Sequence, residues 1–161
     1  MIIREILNKD IETILELNEK SVNVLSPMDK SKLLRLIEFS ALSVVIEQEN
    51  DVTGFLLAFT NSTTYESINY QWFNNNYTAF LYIDRIVISE KHRGRGIGTA
   101  LYKYVIDWAA KNSSARIFAE IDVLPPNKPS LLFHQKFGFN ELQLLKHNEH
   151  KMVSLQELTV D

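Results

Sequence analysis

Arg93-Gly94-Arg95-Gly96-Ile97-Gly98 is the stretch of this chain built to hold a phosphate. Glycine lets the backbone approach an anion closely. The first N–H groups of a helix have no intrahelical acceptor, and the helix dipole behind them favours negative charge. Arg93 and Arg95 add full positive charges beside those amides, and Thr99 adds a hydroxyl in the first turn. The chemistry served is capture of a phosphorylated ligand by backbone groups.

Such a loop works only if a strand leads into it and a helix leads out. Phe80 to Ile88 is apolar and rich in β-branched residues, the composition of a strand. Ile97, Ala100, Leu101, Tyr104, Val105 and Trp108 recur at spacings of three and four, the stripe of an amphipathic helix. The loop is not a Walker A motif, because Thr99 follows Gly98 with no lysine between. Glycines at 94, 96 and 98 also miss the G-x-G-x-x-G dinucleotide spacing, although Glu120 stands where such a site wants an acid.

The remaining elements fall into place around this unit. Met1 to Leu7 reads as a first strand. Asp10 caps a helix with the face Ile11, Ile14, Leu15 and Asn18, and Asp29 caps a second that buries Leu33, Leu34 and Ile37. Leu42–Ile46 and Val52–Thr60 form a hairpin turning near Glu49-Asn50-Asp51. Residues 61–77 form a long polar and aromatic connection with room for one helical turn. Ala115–Val123 is a strand, Asn127–Phe137 a helix with Pro129 in its first turn and Gly138 at its end, and two strands close the chain. The order β-α-α-β-β-β-α-β-α-β-β describes an α/β (α+β) domain over residues 1–161. Its sheet is mixed and mostly antiparallel, with about seven strands and about four flanking helices.

Composition narrows the function. A chain of 161 residues suits one core, and a formal charge of −3 argues against a duplex nucleic-acid partner. The absence of cysteine excludes a disulfide, a thiol nucleophile and a zinc–thiolate site. His92, His147 and His150 have no metal-ligand spacing, so no metal is expected. Charged Arg4 and Glu5 precede any long apolar run, and runs such as Phe55–Phe59 are too short to span a bilayer. A cytoplasmic protein without a membrane partner is expected.

The loop also matches the pattern Gln/Arg-x-x-Gly-x-Gly/Ala, and downstream Asn127-Lys128-Pro129-Ser130 opens a segment ending in Gly138-Phe139. Both resemble the two signatures of the GNAT N-acetyltransferases, in the family's order and separation. Leu25-Ser26-Pro27-Met28-Asp29, the Tyr70-x-Trp72-Phe73 stretch, Asp84-Arg85-Ile86-Val87 and Pro125-Pro126-Asn127 look like a bacterial-type subgroup of predicted acetyltransferases. The resemblance implies direct transfer of an acetyl group from acetyl-CoA to a primary amine of a small molecule or peptide, without a metal. It implies that Ile86, Val87 and Ile88 bind the pantetheine through their backbone. The pyrophosphate falls to Arg93, Gly94, Arg95, Gly96, Ile97, Gly98 and Thr99, and Asn127 supplies an amide or caps its helix.

His134 departs from the family, which usually has tyrosine at that position as the acid facing the coenzyme sulfur. The resemblance therefore puts His134 at the sulfur, as acid or as hydrogen-bond partner. Asp84 stands where many relatives carry glutamate, and aspartate inside a strand is disfavoured without a reason. Strand alternation puts Tyr82, Asp84, Ile86 and Ile88 on one face, which makes Asp84 a candidate base, with Glu120 a further one and a salt bridge to Arg116 the structural alternative. Tyr65, Tyr70, Trp72, Phe73, Tyr77 and Phe80 can wall an acceptor pocket, pack as a satellite cluster or form a homodimer surface. His92 is expected to meet a coenzyme A phosphate. Two other readings compete with catalysis, a non-catalytic acyl-CoA-binding or regulatory domain and an RNA- or protein-binding module built on His92, Arg93 and Arg95.

The loop assignment carries its own test. Gly96→Glu places a carboxylate where the phosphate belongs, and calorimetry is expected to show no acetyl-CoA binding. Normal binding by the folded variant means the loop does not hold the pyrophosphate.

Overall fold

The computed structural model describes residues 1–23 and 25–161. Seven strands form one sheet among the described residues. They are β1 (Ile2–Glu5), β2 (Leu42–Gln48), β3 (Asp51–Thr60), β4 (Phe80–Ile88), β5 (Arg116–Leu124), β6 (Asn140–Asn148) and β7 (Lys151–Thr159). Their spatial order is β1-β2-β3-β4-β5-β7-β6. Neighbours run antiparallel except β4 and β5, which run parallel because a helix crosses over between them. The β2–β3 hairpin turns on Glu49 and Asn50, with φ of 52° and 69°, the positive values a two-residue turn requires.

Helices cover both faces. On one lie α1 (Ile11–Glu19), α2 (Lys30–Phe39) and α3 (Ile68–Asn76), whose Ile14, Leu33 and Phe73 pack with Phe55, Phe59 and Phe118 of the sheet. On the other lie α4 (Ile97–Lys111) and α5 (Lys128–Phe137), where Leu101, Val105 and Phe133 meet Leu56, Ile83 and Ile117.

The expected class and topology are observed, with five α-helices among the described residues rather than about four. The additional one is α3, inside the stretch read as a connection. Its polar residues hide the helical stripe, and burial of Tyr70 and Phe73 stabilises it. Asp29 caps α2, accepting the Lys32 N–H at 2.7 Å. Asp10 makes no side-chain cap at α1. It accepts the Leu7 N–H and pairs with Arg4 instead. Leu36, not Leu34, joins Leu33 in the core, and Leu34 is exposed.

Two irregularities in β4 shape everything around the loop. First, β4 pairs with β5 only from Phe80–Tyr82 to Arg116–Phe118. Beyond Tyr82 the two strands part, and that edge of β4 has no strand partner among the described residues. Second, Leu57 pairs with Arg85 while Ala58 pairs with Ile83, so Asp84 is the extra residue of a bulge. A bulge shifts the phase of alternation by one residue. Tyr82 therefore shares its face with Val87, whereas Ile86 and Ile88 pack with Ile83 on the opposite face. The expected single face of Tyr82, Asp84, Ile86 and Ile88 is thus corrected, because simple alternation does not survive the inserted residue.

Gly54 lets β3 lie close to the last turn-ward residues of β4. A Cβ there would stand 2.6 Å from the Val87 carbonyl oxygen. Gly54→Ala is expected to destabilise the fold by about 1–3 kcal/mol, the usual cost of forcing atoms into a packed site. The check is a lowered urea midpoint at unchanged slope. A midpoint that does not move means β3 and β4 separate without cost.

Candidate active site

β4 delivers the chain to the loop. After a short 3₁₀ turn at Glu90–His92, Gly94 and Gly96 take φ of 74° and 76°, and α4 begins at Ile97. A Cβ at either glycine would meet nothing within 4 Å, so glycine answers the backbone conformation there and not crowding by the protein. The Arg93 Nε donates to the Ile88 carbonyl at 3.2 Å, which ties the loop to the strand end and leaves most of the guanidinium exposed. The opening N–H groups of α4 have no intrahelical acceptors.

Where β4 and β5 part, a cleft of about 1200 Å³ runs through the sheet. It is larger than the roughly 300–1,000 Å³ usual for a single small ligand. Arg93, Gly94 and Gly98 line one part of it, with Ile86, Val87 and Ile88 along the free edge of β4. Asn127, Ser130, Phe133 and His134 contribute from α5 and its cap, and Asp84, Tyr65 and Glu120 line the cleft between the two strands.

Asp84 and Glu120 form the electrostatic centre of the cleft. The Tyr65 hydroxyl donates to Asp84 Oδ1 at 2.8 Å, and the Tyr82 hydroxyl donates to Glu120 Oε1 at 2.9 Å. The second oxygen of each carboxylate is buried with no hydrogen-bond partner in the chain. Burial pushes the Glu120 carboxyl up to about 8, and the neighbouring Asp84 charge pushes the same way. Burial also raises Asp84, opposed by Arg85, whose Nε lies 3.4 Å from Oδ2. Asn69 lies near Glu120 and lowers its proton affinity somewhat, and the Asn69 Oδ1 accepts from the His147 Nε2 at 2.7 Å. Arg116 does not pair with Asp84 and pairs with Glu157 across to β7.

His134 is buried, and both of its ring nitrogens are engaged. Nδ1 lies 2.7 Å from the Ser130 carbonyl oxygen, which can only accept, so Nδ1 carries the proton. Nε2 then accepts from the Tyr102 hydroxyl at 2.5 Å. Burial lowers the affinity of His134 for a second proton. Tyr102 extends from α4, and the pair lines the cleft next to Phe133 and Gly98.

The structure thus gathers Asp84, Ile86, Val87, Ile88, Arg93, Gly94, Gly98, Asn127 and His134 around one cleft. Arg95, Gly96, Ile97 and Thr99 do not line it directly, and the Ile97 side chain is part of the core. Asn127 caps α5, accepting the Ser130 N–H at 3.4 Å, which leaves its amide NH₂ free. His92 lies away from the cleft, lining a smaller recess with Lys9 and Asp10. Of the six aromatics, Tyr65 alone lines the cleft, while Tyr70, Phe73 and Phe80 are fully buried core. Tyr102 went unread because its partner stands on another helix. The described residues hold no group of His, Asp and Glu arranged for a metal, and no helix long and apolar enough to cross a membrane.

The comparisons with known proteins agree with this geometry. A structure of Ard1 from Thermoplasma volcanium superposes with a TM-score of 0.79 at 19% identity, covering 99% of this chain and 97% of that one. The structure of yncA from Salmonella typhimurium, solved with its cofactor acetyl-CoA, superposes with a TM-score of 0.75 at 19% identity over 100% and 94% of the two chains. At such identities the likeness shows the fold. The uncharacterized N-acetyltransferase YobR of Bacillus subtilis (strain 168) is 32% identical over 60 residues, 37% of this chain and 24% of that protein. The uncharacterized N-acetyltransferase MJ1207 of Methanocaldococcus jannaschii is 38% identical over 64 residues, 40% of this chain and 27% of that protein. The matches therefore span only about a quarter of each relative's length, 24% and 27%. The model of the Acetyltransferase (GNAT) family matches residues 9–139, and with that match across the loop, the parted strands and α5, this chain belongs to the GNAT acetyltransferase family.

Proposed function

We propose that this protein transfers an acetyl group from acetyl-CoA to the amine of a small molecule or peptide in a ternary complex. The observation that carries the reading is the opening between β4 and β5, with a glycine loop at the strand end and two buried carboxylates between the strands, each with one oxygen that lacks a hydrogen-bond partner. The residues fit acetyl-CoA. Gly94 and Gly96 hold a backbone conformation open to an anion, the free edge of β4 offers N–H and C=O groups to the pantetheine amides, and the Asn127 amide is available. Acetyl-CoA supplies the activated acyl group. A cytoplasmic setting goes with this reading, and no metal takes part in it.

The chain's own residues then have distinct tasks. Ile86, Val87 and Ile88 orient the thioester, and an N–H of β4 polarises its carbonyl. An acceptor arrives as an ammonium, which has no lone pair and must lose a proton first. Glu120, with an affinity for protons near neutrality and a free Oε2, takes that proton. Asp84 beside it keeps the carboxylate basic, and Tyr82 fixes its orientation. Tyr102 turns its single O–H from His134 Nε2 to the departing thiolate as the C–S bond breaks, and His134 is a positioning residue that holds the hydroxyl through Nε2 until then. The acid expected at His134 is thereby reassigned to the pair, because His134 has no free N–H to give.

Thiol release that depends on both acetyl-CoA and an amine tests the reading. Binding of acetyl-CoA without such release from any amine of a broad panel would establish the non-catalytic alternative. With one acceptor held constant, kcat/KM is expected to rise with pH through an apparent value near 8, because only the deprotonated carboxylate accepts a proton. Glu120→Gln is expected to remove that limb and lower kcat/KM by roughly 10²–10⁴-fold. An unchanged profile transfers the base role elsewhere.

Tyr102→Phe and His134→Ala are each expected to lower kcat roughly 10²-fold while the double variant loses little more, since the two groups act as one unit. Single-turnover kinetics reads the chemical step directly. Losses that simply multiply in the double variant mean that the two act separately.

A further inference from the structure

The cleft has a second charged zone that acetyl transfer alone leaves unused. Lys32 and Arg35 stand one turn apart on α2, on the same side of that helix, and both line the cleft. Lys20, just beyond α1, lines it as well. Among the ion pairs of the described residues, neither Lys32 nor Arg35 has a carboxylate within bonding distance. Lys32 is half-buried, and burial together with the nearby Arg85 and Arg35 charges lowers its proton affinity, against the pull of Asp84 and Asp29. Arg85 is not part of this zone, because its buried guanidinium is committed to Asn18 Oδ1 and the Ser26 carbonyl, each at 2.8 Å, and its Nε lies 3.4 Å from Asp84 Oδ2.

The coenzyme phosphates are not the natural counter-ion. The glycine loop leads into α4 on one face of the sheet, whereas α2 packs on the other. The two cationic zones therefore lie on opposite sides of the opening between β4 and β5. The α2 zone shares its side with Tyr65, which bonds Asp84 and packs against the same core as Leu33 and Leu36. A cavity with two carboxylate oxygens that lack a hydrogen bond at its floor, of which only Asp84 Oδ2 has a cation nearby, and unpaired cations at its rim is complementary to a molecule carrying both signs of charge.

Resting on the transferase reading above, we infer that the acceptor is a small zwitterion, an amine that also bears a carboxylate or a phosphate. Its ammonium lies at Asp84 and Glu120, and its anion at Lys32 and Arg35. Charge-assisted contacts to an anion make this a strong discriminator, because a neutral or purely cationic amine leaves the α2 cations unpaired.

Thiol release with paired acceptors tests the inference. β-Alanine is compared with propylamine, O-phosphoethanolamine with ethanolamine, and spermidine serves as the purely cationic case. At least one anion-bearing amine is expected to exceed its counterpart by about tenfold or more in kcat/KM, which also identifies carboxylate or phosphate as the preferred group. The double variant Lys32→Gln, Arg35→Gln is expected to erase that preference through KM. Equal or better turnover of propylamine, ethanolamine or spermidine overturns the inference while leaving acetyl transfer intact. So does a double variant whose defect is weaker acetyl-CoA affinity, because the cations then serve the coenzyme. Calorimetry of β-alanine and O-phosphoethanolamine on the protein with coenzyme A separates the two readings. Selective binding that the double variant loses, with no thiol release from any amine, upholds a zwitterionic ligand at these residues and overturns transfer. Binding of neither anion-bearing amine, with no turnover of either, overturns the inference.

Discussion

The parallel pairing of β4 and β5, and its end after three residue pairs, is the constraint on which the rest of this structure depends. Buried backbone groups demand hydrogen-bond partners, and a sheet normally supplies them strand to strand. Here the free edge of β4 faces a cleft, so its groups are left to solvent or to a ligand that resembles a peptide. The crossover through α4 enforces the parallel direction, and it also places the glycine loop at the end of the same strand. One topological feature thus creates both the slot and the glycine loop at its end.

The bulge at Asp84 converts that slot into a site. The inserted residue puts a carboxylate at the point where the strands separate and shifts Ile86 and Ile88 to the face of α4 and α5. Across the gap, β5 contributes Glu120. Burial raises the proton affinity of both carboxylates, and the Asp84 charge adds to the effect on Glu120, which is pushed up to about 8. Tyr65 and Tyr82 each satisfy one oxygen and leave the other available. Burying Asp84 and Glu120 in two central strands is costly for folding and leaves both groups with altered proton affinity.

The two faces of the sheet divide the labour. α4 and α5 hold the loop, the cap at Asn127 and the Tyr102–His134 pair, in which the phenol reaches from a neighbouring helix to a histidine fixed by its own helix carbonyl. α1, α2 and α3 support the opposite mouth, where Lys32, Arg35 and Tyr65 face the acids. Residues of both sets line the opening, and neither face alone encloses it.

Much of this was legible in the chain itself because the governing rules are local. Glycines at 94 and 96, an apolar strand before them and a helical stripe after them specify the anion loop through backbone conformation and N–H direction alone. Asp29 as a cap, the Glu49-Asn50 turn and Gly138 ending α5 with φ of 108° follow from the same short-range chemistry. Tertiary structure decided what depends on neighbours distant in sequence. Alternation cannot reveal the bulge at Asp84, because the extra residue exists only relative to β3. α3 has too weak a stripe to be seen without the core that buries Tyr70 and Phe73. The engagement of His134 by Tyr102, the proximity of Asp84 to Glu120 and the unpaired cations of α2 are juxtapositions across elements. Sequence determined which groups this protein possesses and which backbone turns they require, and packing alone decided which of them share a desolvated cleft and so acquire altered proton affinities.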